Sequence, residues 1–252
     1  MPQLFTMKAG RYPGPGDPLS HAILDEHAPA NSPFKYMPAL PHIAAIQRDV
    51  MYKDYVQPYS VGEFTSTIVG AGGTIARSAD GLLFTNDAAD NDLAQLQLLD
   101  AYTPAANKRA SCYARLKASD ATQSDLYFGF ASTDTSIVAG EPARSAIFKK
   151  DDGDTIINGR TNDNGTGTET ANLITNFTAD TYYDLGVTIL PTSATAGTVL
   201  FHYKLASSNT WAQVAKTTDF PDAALRLTFL IQNGEAVAKT MTVNKWVVFW
   251  EN

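Results

Sequence analysis

Two acid-x-acid pairs, Asp90-Asn91-Asp92 and Asp152-Gly153-Asp154, are the first residues whose types and spacing could do chemistry. Retaining glycosidases set two carboxylates about 5–5.5 Å apart, one as nucleophile and one as acid. In a sheet this takes alternating acids along one strand, as in Glu-x-Asp-x-x-Glu. Both pairs here fall in turn sequence, and neither runs into a strand with a third acid, so hydrolysis is not expected. No Gly-x-Ser-x-Gly elbow occurs, and His202 has no nucleophile partner that the sequence identifies. His202 is expected to be an exposed strand residue. His21, His27 and His42 have spacing that suits no zinc motif. The acidic stretches Asp87–Asp92 and Asp151–Asp154 suggest calcium, which takes six to eight oxygen ligands. Neither matches the EF-hand loop, and both read more simply as solvated turns. The chain is read as non-enzymatic, with no metal and no cofactor.

Binding asks for less than catalysis. Jelly-roll proteins hold glycans with a few aromatic and amide side chains on loops or a concave face. Tyr182, Tyr183 and Trp211 are the candidate sugar-binding rings, with Asn158 and Arg160 as candidate polar partners. Core packing and ordinary surface explain the same residues about as well. Cys112, the single cysteine, lies in the strand pattern Ser111-Cys112-Tyr113-Ala114-Arg115-Leu116 and is expected to be a buried, unreactive thiol.

These residues are carried by a long run of strand patterns. Candidate strands are Phe64–Val69, Leu82–Asn86, Ala94–Leu99, Ser111–Lys117, Leu126–Ser132, Ala146–Lys149 and Thr155–Gly159. Thr168–Ile174, Tyr182–Ile189, Val199–Leu205, Trp211–Ala215, Leu225–Gln232 and Ala236–Trp250 continue the series. Turn chemistry separates them at Gly70-Ala71-Gly72-Gly73, Asp80-Gly81, Asp152-Gly153, Asn164-Gly165 and Asn233-Gly234. Val199, Phe201, Tyr203 and Leu205 face one way, and Leu200, His202 and Lys204 the other, as in a strand with one buried face. About a dozen short strands without a convincing helix predict an all-β, two-sheet antiparallel jelly-roll sandwich over 61–252.

Residues 1–60 read differently. Nine of the thirteen prolines fall within the first 58 residues. Each proline fixes its own φ and biases its predecessor toward extended backbone. Interleaved aromatics make this an extended N-terminal arm that lies in a groove, with Phe5, Tyr12, Phe34, Tyr36, Ile43, Ile46, Tyr52 and Tyr55 as anchors. A short helix over 42–54 is compatible with Pro41 at its first position and Ile43, Ile46, Val50 and Met51 on one side. Ordering such an arm costs roughly 1–2 kcal/mol per residue of backbone, so a large partner surface is expected to hold it.

Three segments carry a resemblance. They are Phe128-Gly129-Phe130-Ala131-Ser132-Thr133-Asp134-Thr135-Ser136; Ile147-Phe148-Lys149-Lys150-Asp151-Asp152-Gly153-Asp154-Thr155; and Phe229–Ala236 followed by Thr240–Trp246. Together they resemble tailed-bacteriophage virion structural proteins of the capsid decoration, or cement, type, with a concanavalin-A-like jelly roll. The resemblance implies a knob displayed on the capsid surface, the major capsid protein as partner of the arm, and a homotrimer. The alternative is a carbohydrate-binding, lectin-like module of a phage head or tail fibre, with host-surface glycan as its target.

Charge narrows the partners. The net charge is −7, yet residues 1–60 hold five basic and five acidic side chains, so the excess lies on the sandwich. No basic cluster offers phosphates a footprint, and none forms a polybasic membrane anchor. The opening MPQLFTMKAG has no apolar stretch of signal-peptide length. Synthesis in a host cytoplasm and a final place on a virion are the expected localisation.

Overall fold

The computed structural model describes Asn31, Pro33 and residues 50–54, 61–135 and 137–251. Fifteen strands form among the described residues. They are β1 (Val50–Asp54), β2 (Phe64–Val69), β3 (Thr74–Ser78), β4 (Gly81–Thr85), β5 (Leu93–Leu98), β6 (Ala110–Ala118), β7 (Ser124–Ala131), β8 (Arg144–Lys150), β9 (Ile157–Asp163), β10 (Thr166–Ile174), β11 (Tyr183–Pro191), β12 (Gly197–Leu205), β13 (Ala212–Lys216), β14 (Arg226–Asn233) and β15 (Thr240–Glu251). Helical pieces are short, with a 3₁₀ turn at Val61–Glu63 and a one-turn helix, α1 (Ile137–Gly140). No helix among the described residues is long and apolar enough to cross a membrane.

The strands pair antiparallel in two sheets. One has eight strands in the order β13-β12-β11-β6-β15-β4-β3, with β1 also paired to β15; the other has the order β10-β9-β8-β7-β14-β5-β2. The chain is therefore an all-β, two-sheet jelly-roll sandwich.

Rings from one sheet fill hollows over the other. Phe148 meets Phe201 edge-on at 5.3 Å, and Trp246 lies 5.9 Å from Phe229 and 5.5 Å from Phe64. Space for these rings comes from small inward residues on β6, where Ala110, Cys112, Ala114 and Ala118 are buried. Such interlocked aromatics stabilise by burial and by edge-to-face geometry. At the β9–β10 hairpin, Asp163 pairs with Thr166, and Asn164 and Gly165 have φ of 52° and 81°. Two central residues with positive φ make the type I′ turn that an Asn-Gly pair favours.

The outer faces are not simply solvated, and this corrects the reading of His202. Its side chain points away from the core as the alternation predicts, yet it is fully buried. Nδ1 donates to the carbonyl of Asn31 at 2.6 Å, and Nε2 shares a hydrogen bond with Thr188 Oγ1 at 3.1 Å. A carbonyl only accepts, so Nδ1 carries a proton. Burial favours the neutral ring, which leaves Nε2 as the acceptor of the Thr188 hydroxyl. Beside it, a methyl at Gly186 would lie 2.6 Å from Pro33 Cγ, so the absence of a side chain admits the proline ring. Asn31 and Pro33 thus lie on the chain's own sheet.

The helix expected over 42–54 is corrected over its last five residues, while 42–49 lie outside the described residues. Residues 50–54 are a strand, paired from Val50↔Glu251 to Asp54↔Val247. The physical reason lies in β15: β4 pairs only with Thr240–Val243, which leaves the far half of that edge open to a ladder. The anchors Phe5, Tyr12, Phe34, Tyr36, Ile43, Ile46 and Tyr55 lie outside the described residues, and Tyr52 enters as a position in β1.

Burial pulls the His202 pKa down from 6.5 to about 4, against the Asn31 hydrogen bond, which raises it. The folded state therefore prefers the neutral ring. Its contribution is complete above pH 6.5 and is lost as pH falls toward 4. Between pH 7 and 4.5 this group should remove about 2–3 kcal/mol of unfolding free energy. Urea titrations at the two pH values should show a smaller loss for His202→Gln than for the parent; equal losses would contradict the neutral, buried assignment.

Candidate functional site

On the outer face of the seven-stranded sheet, strand register brings polar side chains into rows. One row runs Gln95, Leu230, Tyr127, Lys149, Asn158 across β5, β14, β7, β8 and β9. The next runs Gln97, Thr228, Gly129, Ile147, Arg160, Glu169 and ends on β10.

The connection 132–143 crosses the middle of this face. Gln97 Nε2 donates to the Ser132 carbonyl at 3.1 Å, and Gln95 Nε2 to the Asp134 carbonyl at 2.5 Å. The Asp134 N–H donates back to Gln97 Oε1, and Asn162 Nδ2 donates to the Pro142 carbonyl at 2.8 Å. Ile137 of α1 seals the centre against Tyr127, Ala131, Ile147 and Leu230.

What stays partly accessible is the rim over β8, β9 and β10, where the carboxylates of Asp151, Glu169 and Glu141 are more exposed than the largely buried Lys149 and Arg160. Lys149 Nζ lies 3.1 Å from Glu141 Oε1, 3.1 Å from Asp151 Oδ2 and 3.5 Å from Glu169 Oε1. Arg160 pairs with Glu141 and reaches Glu169 Oε1 at 3.4 Å. Asn158 Nδ2 donates to Glu169 Oε2 at 3.3 Å, and its Oδ1 accepts from the Asn172 N–H at 2.8 Å. Burial lowers the Lys149 pKa, but Asp151 and Glu141 outweigh it, and the net shift is upward. Three carboxylates, two cations and an amide thus share one partly exposed patch. Such a patch offers paired donors and acceptors to neighbouring hydroxyls.

At one end of this sheet Asn233-Gly234 lies between the two acidic stretches, against Asp87–Asn91 on one side and Asp152 on the other. Asn233 is fully buried, and its Nδ2 donates to the carbonyls of Asp87 and Ala89 at 2.6 and 2.9 Å. Gln232 Nε2 donates to the Asn91 carbonyl, and the Gly234 N–H to the Gln123 carbonyl. The Asp152 N–H donates to Asp125 Oδ1 at 3.0 Å. Asn233-Gly234 reads in the sequence as a folding turn; here it also ties the loop of Asp87–Asp92 to that of Asp120–Asp125. Among the described residues no group of three or more His, Cys, Asp or Glu side chains is placed to hold a metal ion.

The candidate rings are not brought together. Tyr183 is in the core, 5.0 Å from Phe177, and its hydroxyl donates to the Asn176 carbonyl and accepts from the Thr178 N–H. Trp211 is buried on the outer face of the other sheet, 6.2 Å from Tyr113, with Lys204 Nζ 5.4 Å over its ring. Tyr182 is half-buried, with Lys117 Nζ 4.9 Å from its ring. Tyr183 and Trp211 are therefore corrected to packing residues. Tyr183 also lines an open cleft of about 410 Å³ between the end of β10 and the β12–β13 hairpin, with Tyr203, Asn176, Lys204 and Thr210. Of the five sugar candidates, Asn158 and Arg160 do meet, at the rim. Glu141, Lys149 and Glu169 complete that cluster and escape sequence reading, because they come from three separate segments. Cys112 is buried in the core, where burial pushes its thiol pKa up.

No family model matches this sequence, and no curated protein matches it. The fold has clear structural relatives. A protein of unknown function from Shewanella oneidensis MR-1 superposes with a TM-score of 0.56 at 10% identity, covering 85% of this chain and 95% of that one. The exoplasmic/lumenal domain of VIP36, in a Ca²⁺/Man3GlcNAc-bound form, gives 0.53 at 11% identity, covering 79% and 89%. A legume lectin-like domain from Entamoeba histolytica gives 0.50 at 9% identity, covering 76% and 91%. The jelly roll is thus of the legume-lectin-like, concanavalin-like type.

Proposed function

We propose that this chain is a non-catalytic carbohydrate-recognition module that takes a glycan at the rim of its seven-stranded sheet. The observation that carries this reading is the rim cluster of Lys149, Asp151, Asn158, Arg160, Glu169 and Glu141 on a lectin-like fold. A sugar ring presents adjacent hydroxyls, each a donor and an acceptor. Carboxylates accept from them, while the Asn158 amide, Lys149 and Arg160 donate. The sugar-bound VIP36 domain lends the same fold as a precedent for glycan binding. Glu141 and Glu169 are each engaged by both Lys149 and Arg160, an arrangement that favours holding hydroxyls over protonating a leaving group.

The reading extends to placement. Display on a virion surface, with the major capsid protein as partner, a homotrimer as assembly and host-surface glycan as target, has the three resembling sequence segments as its support.

A glycan array probed with the full chain should give selective signals, and Asn158→Ala with Glu169→Ala should reduce them at least about tenfold, equivalent to 1.4 kcal/mol. An array without signal, or signals that the double variant leaves intact, would overturn the assignment.

A further inference from the structure

Lys150 is fully buried, and its ammonium is held by main-chain carbonyls. Nζ lies 2.5 Å from the Ser124 carbonyl and 3.3 Å from those of Thr122 and Asp151. An ammonium has three N–H donors and no acceptor, so three carbonyls match the charged form. Burying such a charge costs several kcal/mol unless its surroundings compensate. Burial lowers its pKa, and the carboxylates of Asp125, Asp120, Asp152 and Asp154 offset this only in part, so the net shift is downward.

A second lysine continues the same construction. Lys239 is buried, with Nζ 2.7 Å from Asp120 Oδ2 and 2.5 Å from Glu235 Oε1. Asp120 in turn accepts from the N–H groups of Thr122 and Gln123, both at 2.7 Å. Burial raises the Asp120 pKa, but Lys239 and these N–H groups outweigh it and hold it down at about 2. The result is an unbroken path from Glu235 through Lys239, Asp120 and the Thr122–Ser124 backbone to Lys150 and Asp151. It joins the loops that follow β6, β8 and β14.

We propose that these two ammonium groups cross-link the acidic loops in the way a bound cation would, and that the carbonyl cage of Thr122, Ser124 and Asp151 is a monovalent-cation site filled from within by Lys150. The loop end is then complete without free metal. This organisation is independent of whether a glycan binds at the rim. An oxygen cage emptied of its lysine keeps the chemistry for a potassium or ammonium ion, since hard cations take carbonyl oxygens.

Thermal unfolding of the full chain tests it. The parent should melt at the same temperature in EDTA, in about 5 mM CaCl₂, and in choline or potassium chloride. Lys150→Ala should melt roughly 5 °C or more lower in choline chloride, and potassium or ammonium chloride should restore part of that loss. Lys150→Met, whose side chain refills the cage, should fall without being restored. A parent stabilised by calcium, or destabilised by EDTA, would overturn the proposal even if no Lys150 variant folds. So would a Lys150→Ala protein as stable as the parent in choline, or one indifferent to every cation.

Discussion

Asp184→Ala is expected to lower stability by about 3–5 kcal/mol. Asp184 is buried on the outer face of the eight-stranded sheet. Its carboxylate accepts from Tyr113 Oη at 2.8 Å and from Arg115 Nε and a terminal nitrogen at 2.7 and 2.8 Å, and it lies 2.9 Å from Lys204 Nζ. Truncation leaves two cations converging on a space with no counter-charge, beside Lys245, whose pKa is already lowered by burial and by Arg115. For a domain of this size each kcal/mol is worth about 2–4 °C, so the melting temperature should drop by roughly 10 °C. Burial raises the Asp184 pKa, but Arg115, Lys204 and Tyr113 reverse that, and the net shift is below the usual 3.8. The stabilisation is therefore present above pH 3.8 and is lost as pH falls further. Calorimetry of parent and variant should show a wide gap at pH 7 that narrows in strong acid. A loss under about 1 kcal/mol at pH 7 would mean the cluster behaves as a surface ion pair.

Removal of residues 1–60 should also be costly. It deletes β1, which pairs five residues with β15, and it deletes the Asn31 carbonyl that His202 Nδ1 donates to. Cross-strand pairs contribute roughly 0.2–1 kcal/mol each, and losing a buried hydrogen-bond partner costs about 1–3 kcal/mol. The shortened chain should still fold, because the interlocked core rings lie at or beyond Phe64. It should melt roughly 5–15 °C lower. It should also self-associate more readily, since the deletion bares the β15 edge along Val247–Glu251. An unchanged melting temperature would restore the picture of an arm that belongs to a partner and not to the sandwich.

The strands were legible because alternation and turn residues mark them locally. Eleven of the thirteen strand patterns lie within two residues of a strand's ends; Thr155–Gly159 stops four residues short of the end of β9, and the last shortens to Thr240–Glu251. β3 was missed: Thr74-Ile75-Ala76-Arg77-Ser78 is short, mostly exposed and without a strong apolar repeat. β1 was missed because proline-rich flanks and an i, i+3 apolar spacing imitate a helix start, while its partner edge lies nearly 200 positions away. The direction in which His202 points follows from period two. Its burial does not, since alternation says nothing of a distant segment laid on the second face. The site was legible only in part for the same reason: Asn158 and Arg160 share a strand, but Glu141, Lys149 and Glu169 join them through register and through a crossing connection.

The central claim is that a glycan binds at the rim of the seven-stranded sheet, and calorimetric titration of the strongest array ligand tests it most directly. The full chain, an Asn158→Ala/Glu169→Ala variant and a cleft variant, Tyr203→Ala, would be compared. The account predicts saturable binding to the parent, at least about tenfold weaker binding to the rim variant, and unchanged affinity for the cleft variant. Loss on Tyr203→Ala with the rim variant unaffected, or no binding heat in any of the three, would contradict it.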